Sequence, residues 1–188
     1  MSVKEKSRGR PKKNDHQLSG EKILGEAKSL MKQTGKIPSI RGLAASLNVD
    51  AMAIYHYFSN KNALLEAITT SLIEDVYQPQ ETCNWQQELT KLSHSYLALL
   101  AEYPGLLNTL LSMESQSPAA VFAERYNLII ASLELDEETQ KNGLDLLADY
   151  LHGFALALDC NNGAGNLTIE MLGGPLKLIC SGLKNATD

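Results

Sequence analysis

The sequence predicts an all-α protein in which an N-terminal three-helix helix-turn-helix head is joined by a fourth helix to a larger helical domain. Three observations lead there. No segment of the 188 residues alternates polar and apolar positions as a half-buried strand would. Apolar residues instead recur at spacings of three and four from the first ordered helix almost to residue 184. Two short runs of this kind are separated only by Asn48, Val49 and Asp50, a connection that allows nothing but a tight corner between helices.

Residues 1–18 have no apolar periodicity and are rich in Lys, Arg, Ser, Gly and Pro, which predicts a basic, disordered arm. Ser19 can cap a first helix carrying Ile23, Leu24, Ala27, Leu30 and Met31, and Gly35 can close it with a left-handed residue. Ser39 can cap a second, buried through Ile40, Leu43, Ala44 and Leu47, and Asn48 tolerates the positive φ needed where it stops. Asp50 can cap the third. Ala44 supplies a small side chain where the pair crosses, and Ile54 a branched anchor ten residues on. Ser59-Asn60 offers the next cap, for a fourth helix over 61–77 bearing Leu64, Leu65, Ile68, Leu72 and Val76 ahead of Pro79. Beyond it the expected helices cover 85–102, 105–113, 118–133, 137–159 and 167–184, with "CNNGAG" at 160–165 as a loop. The domain boundaries that follow are an arm over 1–18, a head over 19–65 and a larger domain over 66–188.

Charge separates the two ends. Residues 1–61 hold 12 Lys and Arg against 5 Asp and Glu, a net of +7, while residues 62–188 hold 5 against 17, a net of −12; together they give the chain's −5. A basic N-terminal third suits a phosphate backbone, which would repel the remainder. The three cysteines, Cys83, Cys160 and Cys180, are odd in number and widely spaced, and this argues against a disulfide framework or a zinc site and for a reducing, cytoplasmic setting. The leader lacks the apolar stretch of a signal peptide, and no apolar run approaches a membrane span. No membrane partner, cofactor or metal is expected. His94 and His152 have no ligand-type neighbour at metal-site spacing, and no catalytic grouping or phosphate-cradling glycine loop is evident.

From Ser39 to Leu65, "RGLAASLNV" followed by "AIYHYFSNKNALL" resembles the tetracycline-repressor (TetR) family of transcriptional regulators, with a helix, a tight turn, an aromatic-rich recognition helix and a Lys opening the next helix. By motif the resemblance covers about residues 19–77. It implies double-stranded operator DNA as partner. Tyr55 and Lys61 can each reach a phosphate, and Arg41 stands where an arginine can read a guanine edge in the major groove. Ala51, Met52 and Ala53 form the turn that enters the groove, where contact would be apolar; Ser39, His56 and Tyr57 complete the DNA-facing set. Tyr57 stands where the family most often has His. Ahead of the head, Arg8-Gly9-Arg10-Pro11 within "SRGRPKK" matches the short core of the AT-hook, so Arg8 and Arg10 are expected in a narrow A·T-rich minor groove.

The resemblance further implies a homodimer and an unknown small-molecule effector in the larger domain. Leu147, Leu151, Phe154, Leu158, Gly173 and Gly174 are the expected dimer interface, within a stripe that also includes Leu144, while Gly153, Ala155, Ala157 and Gly182 allow close helix approach. Tyr96, Leu110, Met113, Phe122, Tyr126, Tyr150 and Phe154 are expected around the effector. The leading function is a ligand-responsive repressor on a near-palindromic operator. Its competitors are a constitutive or architectural DNA binder without inducer, and a small all-helical enzyme or ligand-binding protein whose basic leader is incidental.

Overall fold

The structure is a computed structural model that describes residues 18–80, 84–161 and 167–186. It is all-helical among these residues, with nine α-helices and two short 3-10 turns.

Helix α1 (Gly20–Thr34) begins where Ser19 Oγ accepts from the Lys22 amide, and it ends at Gly35 with φ 64°. Its inward residues Ile23, Ala27 and Met31 meet α2 (Ile40–Ser46) and α4 (Lys61–Glu74). The corner after α2 turns on Asn48, a non-glycine at φ 53°, and α3 (Ala51–Tyr55) starts from Asp50, whose carboxylate takes the Met52 amide at 2.7 Å. Leu43, Ala44 and Ile54 are buried where α2 and α3 cross. A β-branched anchor against a small alanine lets two such short helices share one core.

The body consists of α5 (Trp85–Glu102), α6 (Leu106–Ser112), α7 (Ser117–Ile130), α8 (Glu137–Asn161) and α9 (Gly173–Asn185). Most boundaries fall within two residues of the sequence expectation, and the departures have local causes. Helix α4 stops at Glu74 rather than 77 because its last carbonyls turn to a distant arginine, described below. Gly105, at φ 81°, lies outside the right-handed helix that was expected to include it. Cys160 and Asn161 are the last turn of α8, not the start of a loop; the rest of that expected loop lies outside the described residues. The expected helix over 167–184 opens instead as a 3-10 turn, Ile169–Leu172, because Thr168 is extended.

Helix α5 runs through the centre of the body, packing on α7 and α8 and more lightly on α4 and α9. Gly143 of α8 is required by that packing: a Cβ there would lie 2.4 Å from Tyr126 Oη and 2.6 Å from Leu183 Cδ2. No described helix is long and apolar enough to cross a membrane.

Candidate nucleic-acid interface and ligand cavity

The recognition helix presents an outer edge and buries its inner one. Ile54 is fully buried, Ala51 and Ala53 are half-buried, and Met52 and Tyr55 are 64% and 42% exposed. His56 follows, also exposed. Arg41 is exposed in the first turn of α2, where Ser39 Oγ caps the Gly42 amide at 3.0 Å, and Lys61 is exposed as the first residue of α4. Among the described residues neither Arg41 nor Lys61 makes an ion pair. A lysine at a helix N-terminus is opposed by the helix dipole, so an outside anion is the natural counter-charge. Arg8 and Arg10 lie outside the described residues.

Tyr57 has a different task from the one expected of it. Its hydroxyl donates to the carbonyl of Leu18, and its ring lies beside Gly20, so its proton is used within the head. Phe58 packs half-buried against the core.

Two sets of contacts seat the head on the body. Helix α4 lies along α7, its most extensive partner. At one end Ser117 donates to Glu66, which with Ser115 holds that carboxyl below its ordinary range. At the other, the buried guanidinium of Arg125 donates to the carbonyls of Ile73 (2.9 Å), Val76 (2.6 Å) and Glu74 (2.8 Å). A cation on the free carbonyls of a helix C-terminus satisfies both hydrogen bonding and the dipole. Sequence reading missed Arg125, because nothing local distinguishes a capping arginine from a surface one. The second seat is at the end of α1, where a Cβ on Gly105 would be 2.9 Å from the carbonyl oxygen of Gly35 and Lys32 pairs with Glu102 at 2.6 Å.

Behind α4 lies a cavity of about 340 Å³, bounded by α4 through Ile73, α5 through Tyr96, the α6–α7 segment, α7 through Phe122 and α8 through Leu144, Asp145, Ala148 and His152. Tyr96, Leu110, Met113 and Phe122 line it; Tyr126, Tyr150 and Phe154 do not. Tyr126 is fully buried one turn further along α7, its hydroxyl beside Gly143 of α8. Tyr150 and Phe154 pair with each other, ring centroids 6.0 Å apart, on another face of α8. An aromatic in a helix is no guide to the cavity here, because α8 turns one face to the cavity and another to the core.

His152, read from sequence as isolated, is paired. Its Nε2 is 2.9 Å from the Tyr96 hydroxyl, and the ring stands 5.9 Å from that of Tyr96, which in turn is 4.8 Å from Phe122. Burial lowers the His152 pKa, with Asp149 opposing, and burial pushes the Tyr96 phenol well above its usual range. The pair is therefore neutral near pH 7. Positions 96 and 152 are 56 residues apart, so no spacing rule links them. Among the described residues no three His, Cys, Asp or Glu side chains gather as metal ligands.

The expected dimer interface needs correction. Leu147 and Leu151 are fully buried in their own chain and Phe154 nearly so, while Leu158 borders a second cavity between α5 and α8. Other apolar positions are exposed on these helices, Leu146, Gly153, Leu156 and Ala157 on α8 and Leu178, 76% exposed, on α9, together with the expected Gly174. A Cβ on Gly153, Gly173, Gly174 or Gly182 would meet nothing within 4 Å.

Residues 23–68 match the model of the bacterial regulatory proteins of the tetR family. No curated protein sequence matches the chain. Among solved structures, apo ActR from Streptomyces coelicolor superposes with a TM-score of 0.74 at 17% identity, over 91% of this chain and 98% of that one. ActR in complex with actinorhodin gives 0.74 at 19%, over 88% and 95%. BioQ, from Mycobacterium smegmatis, with its double-stranded DNA operator gives 0.70 at 16%, over 90% and 99%.

Proposed function

We propose that the chain, whose residues 23–68 match the model of the tetR family of bacterial regulatory proteins, is a ligand-responsive transcriptional repressor of that family acting as a homodimer on a near-palindromic operator. In this reading residues 1–18 are a DNA-contacting arm, 19–65 the DNA-binding domain and 66–188 the ligand-binding and dimerisation domain, working in the cytoplasm. The observation that carries it is the outer edge of the head: exposed Met52, Tyr55 and His56 flanked by the cations Arg41 and Lys61, which make no ion pair among the described residues. Arg41 reads a base edge, Tyr55 and Lys61 hold phosphates, and Arg8 and Arg10 enter an A·T-rich minor groove. The similar ActR and BioQ structures, one with a small molecule and one with operator DNA, support the same division of labour.

Dimerisation is assigned to the outer faces of α8 and α9. Leu146 and Leu178 would be buried there, and glycines with open space above them admit a facing helix. Ligand control runs through α4, which borders the cavity at Ile73 and ends on Arg125.

The test is selection of duplexes by the purified chain, followed by affinity measurements on the selected site. Arg41→Ala is expected to cost about 1–3 kcal/mol at one base pair per half-site. Lys61→Ala should weaken all duplexes alike and reduce the salt slope by about one. No duplex preference at any salt concentration would remove the repressor reading.

A further inference from the structure

We propose that the cavity behind α4 takes a largely apolar organic cation with a flat aromatic body, selected by the carboxylate of Asp145 and the aromatic rings of Tyr96 and Phe122. The proposal rests on the ligand-responsive reading and names the chemical class of the effector.

Charge around the cavity is one-sided. Among the described lining residues there is no Lys or Arg, whereas Asp145 is part of the wall. Two further carboxylates act on residues at or next to that wall. Glu66 is bonded to Ser117 next to the lining residues Ser115 and Gln116, and Asp149 acts on His152. Against these three stands one ammonium, Lys141, which holds Oδ2 of Asp145 at 2.6 Å, the two side chains being 73% and 55% exposed. His152 adds no positive charge near pH 7, since burial lowers its pKa.

An anion brought into this space would lose its hydration opposite carboxylates and gain no cation in return. An organic cation meets the opposite situation. It exchanges water for a carboxylate and for a wall that includes the two aromatic rings of Tyr96 and Phe122. Ile73, Leu110 and Leu144 supply the apolar remainder of the wall. A volume of about 340 Å³ suits a fused two-ring body with a short polar arm.

Three probes of nearly equal shape separate the possibilities: 1-naphthylmethylammonium, 1-naphthylmethanol and 1-naphthoate, titrated into the full chain by calorimetry near pH 7. The ammonium is expected to bind tightest and the carboxylate weakest, about tenfold or more apart. Asp145→Asn should weaken the ammonium severalfold and leave the alcohol unchanged. Tyr96→Phe, which keeps the ring face, should retain the charge order. Naphthoate binding as tightly as the ammonium, no ammonium binding at millimolar concentration, or a preference untouched by Asp145→Asn would each overturn the proposal. Operator affinity measured with and without the ammonium tests the other reading separately: an intact charge order with unchanged operator affinity keeps the ligand class and removes ligand control.

Discussion

The Tyr57 hydroxyl donates to the carbonyl oxygen of Leu18, so the residue just past the recognition helix holds the root of α1. Leu18 is also where the basic segment joins the head. Tyr57→Phe is expected to cost about 0.5–1.5 kcal/mol of stability, the usual net worth of one hydrogen bond. Its effect on operator binding should be larger in the full chain than in a chain lacking residues 1–13. A double-mutant cycle measures the difference. Equal losses in both backgrounds would show that Tyr57 has no part in directing the arm.

Arg125 closes the C-terminal end of α4 with three carbonyls on one guanidinium, and Lys28 takes a fourth, that of Ser71, at 3.1 Å. Replacing it with Ala leaves those acceptors buried and should lower unfolding free energy by about 2–4 kcal/mol in urea titration. Arg125→Lys, with one ammonium for a planar fork, should recover less than half of that. A midpoint unchanged by Arg125→Ala would mean that the end of α4 is held by packing and by Lys28.

Gly143 and Tyr126 form a tightly fitted pair. Gly143→Ala places a methyl 2.4 Å from Tyr126 Oη and should destabilise by about 1–3 kcal/mol through overpacking. The Tyr126 hydroxyl is buried without a hydrogen-bond partner among the described residues, and burial pushes its pKa up to about 12. Tyr126→Phe is therefore expected to be neutral or mildly stabilising and to lessen the cost of Gly143→Ala. Thermal melts of the two single variants and the double variant decide this; additive effects would count against the shared contact.

Glu88 makes the fold acid-sensitive. Its buried carboxylate accepts from the Gln80 amide at 2.9 Å, the Lys91 ammonium at 2.8 Å and the Tyr77 hydroxyl at 2.8 Å. These bonds, the Gln80 amide foremost, bring its pKa down from 4.5 to about 2. A depressed folded pKa means that the stabilisation is fully present above the unfolded value and is lost as pH falls from about 4.5 towards 2. Glu88→Gln should be less stable at pH 7 and should show a shallower loss of stability across that window. The same acid dependence in wild type and variant would place the sensitivity elsewhere.

The head was legible in the sequence because its signals are local. Ser19, Ser39, Asp50 and Asn60 all cap the helices expected of them, and Gly35 and Asn48 turn the chain with positive φ. The body was legible as helices but not as faces. Leu147 and Leu146 are neighbours in sequence, yet one is fully buried and the other 58% exposed. A 25-residue helix with apolar residues around much of its circumference gives no periodicity that separates its own core from a partner. The Tyr96–His152 pair and the Arg125 cap were out of reach for another reason: each joins helices far apart in sequence, and only their packing creates the contact.

The seat of α1 on the body bears on how such regulators can be recombined. Gly35 and Gly105 meet backbone to backbone, both at positive φ, with no room for a side chain on the second. A head transplanted onto this body from another protein of the same fold therefore fits only if its first helix also ends in a residue that lets the main chain come this close. Exchange of heads, in a laboratory or in a genome, is limited here less by the long shared helix than by one hydrogen atom on Gly105 and a left-handed turn at residue 35.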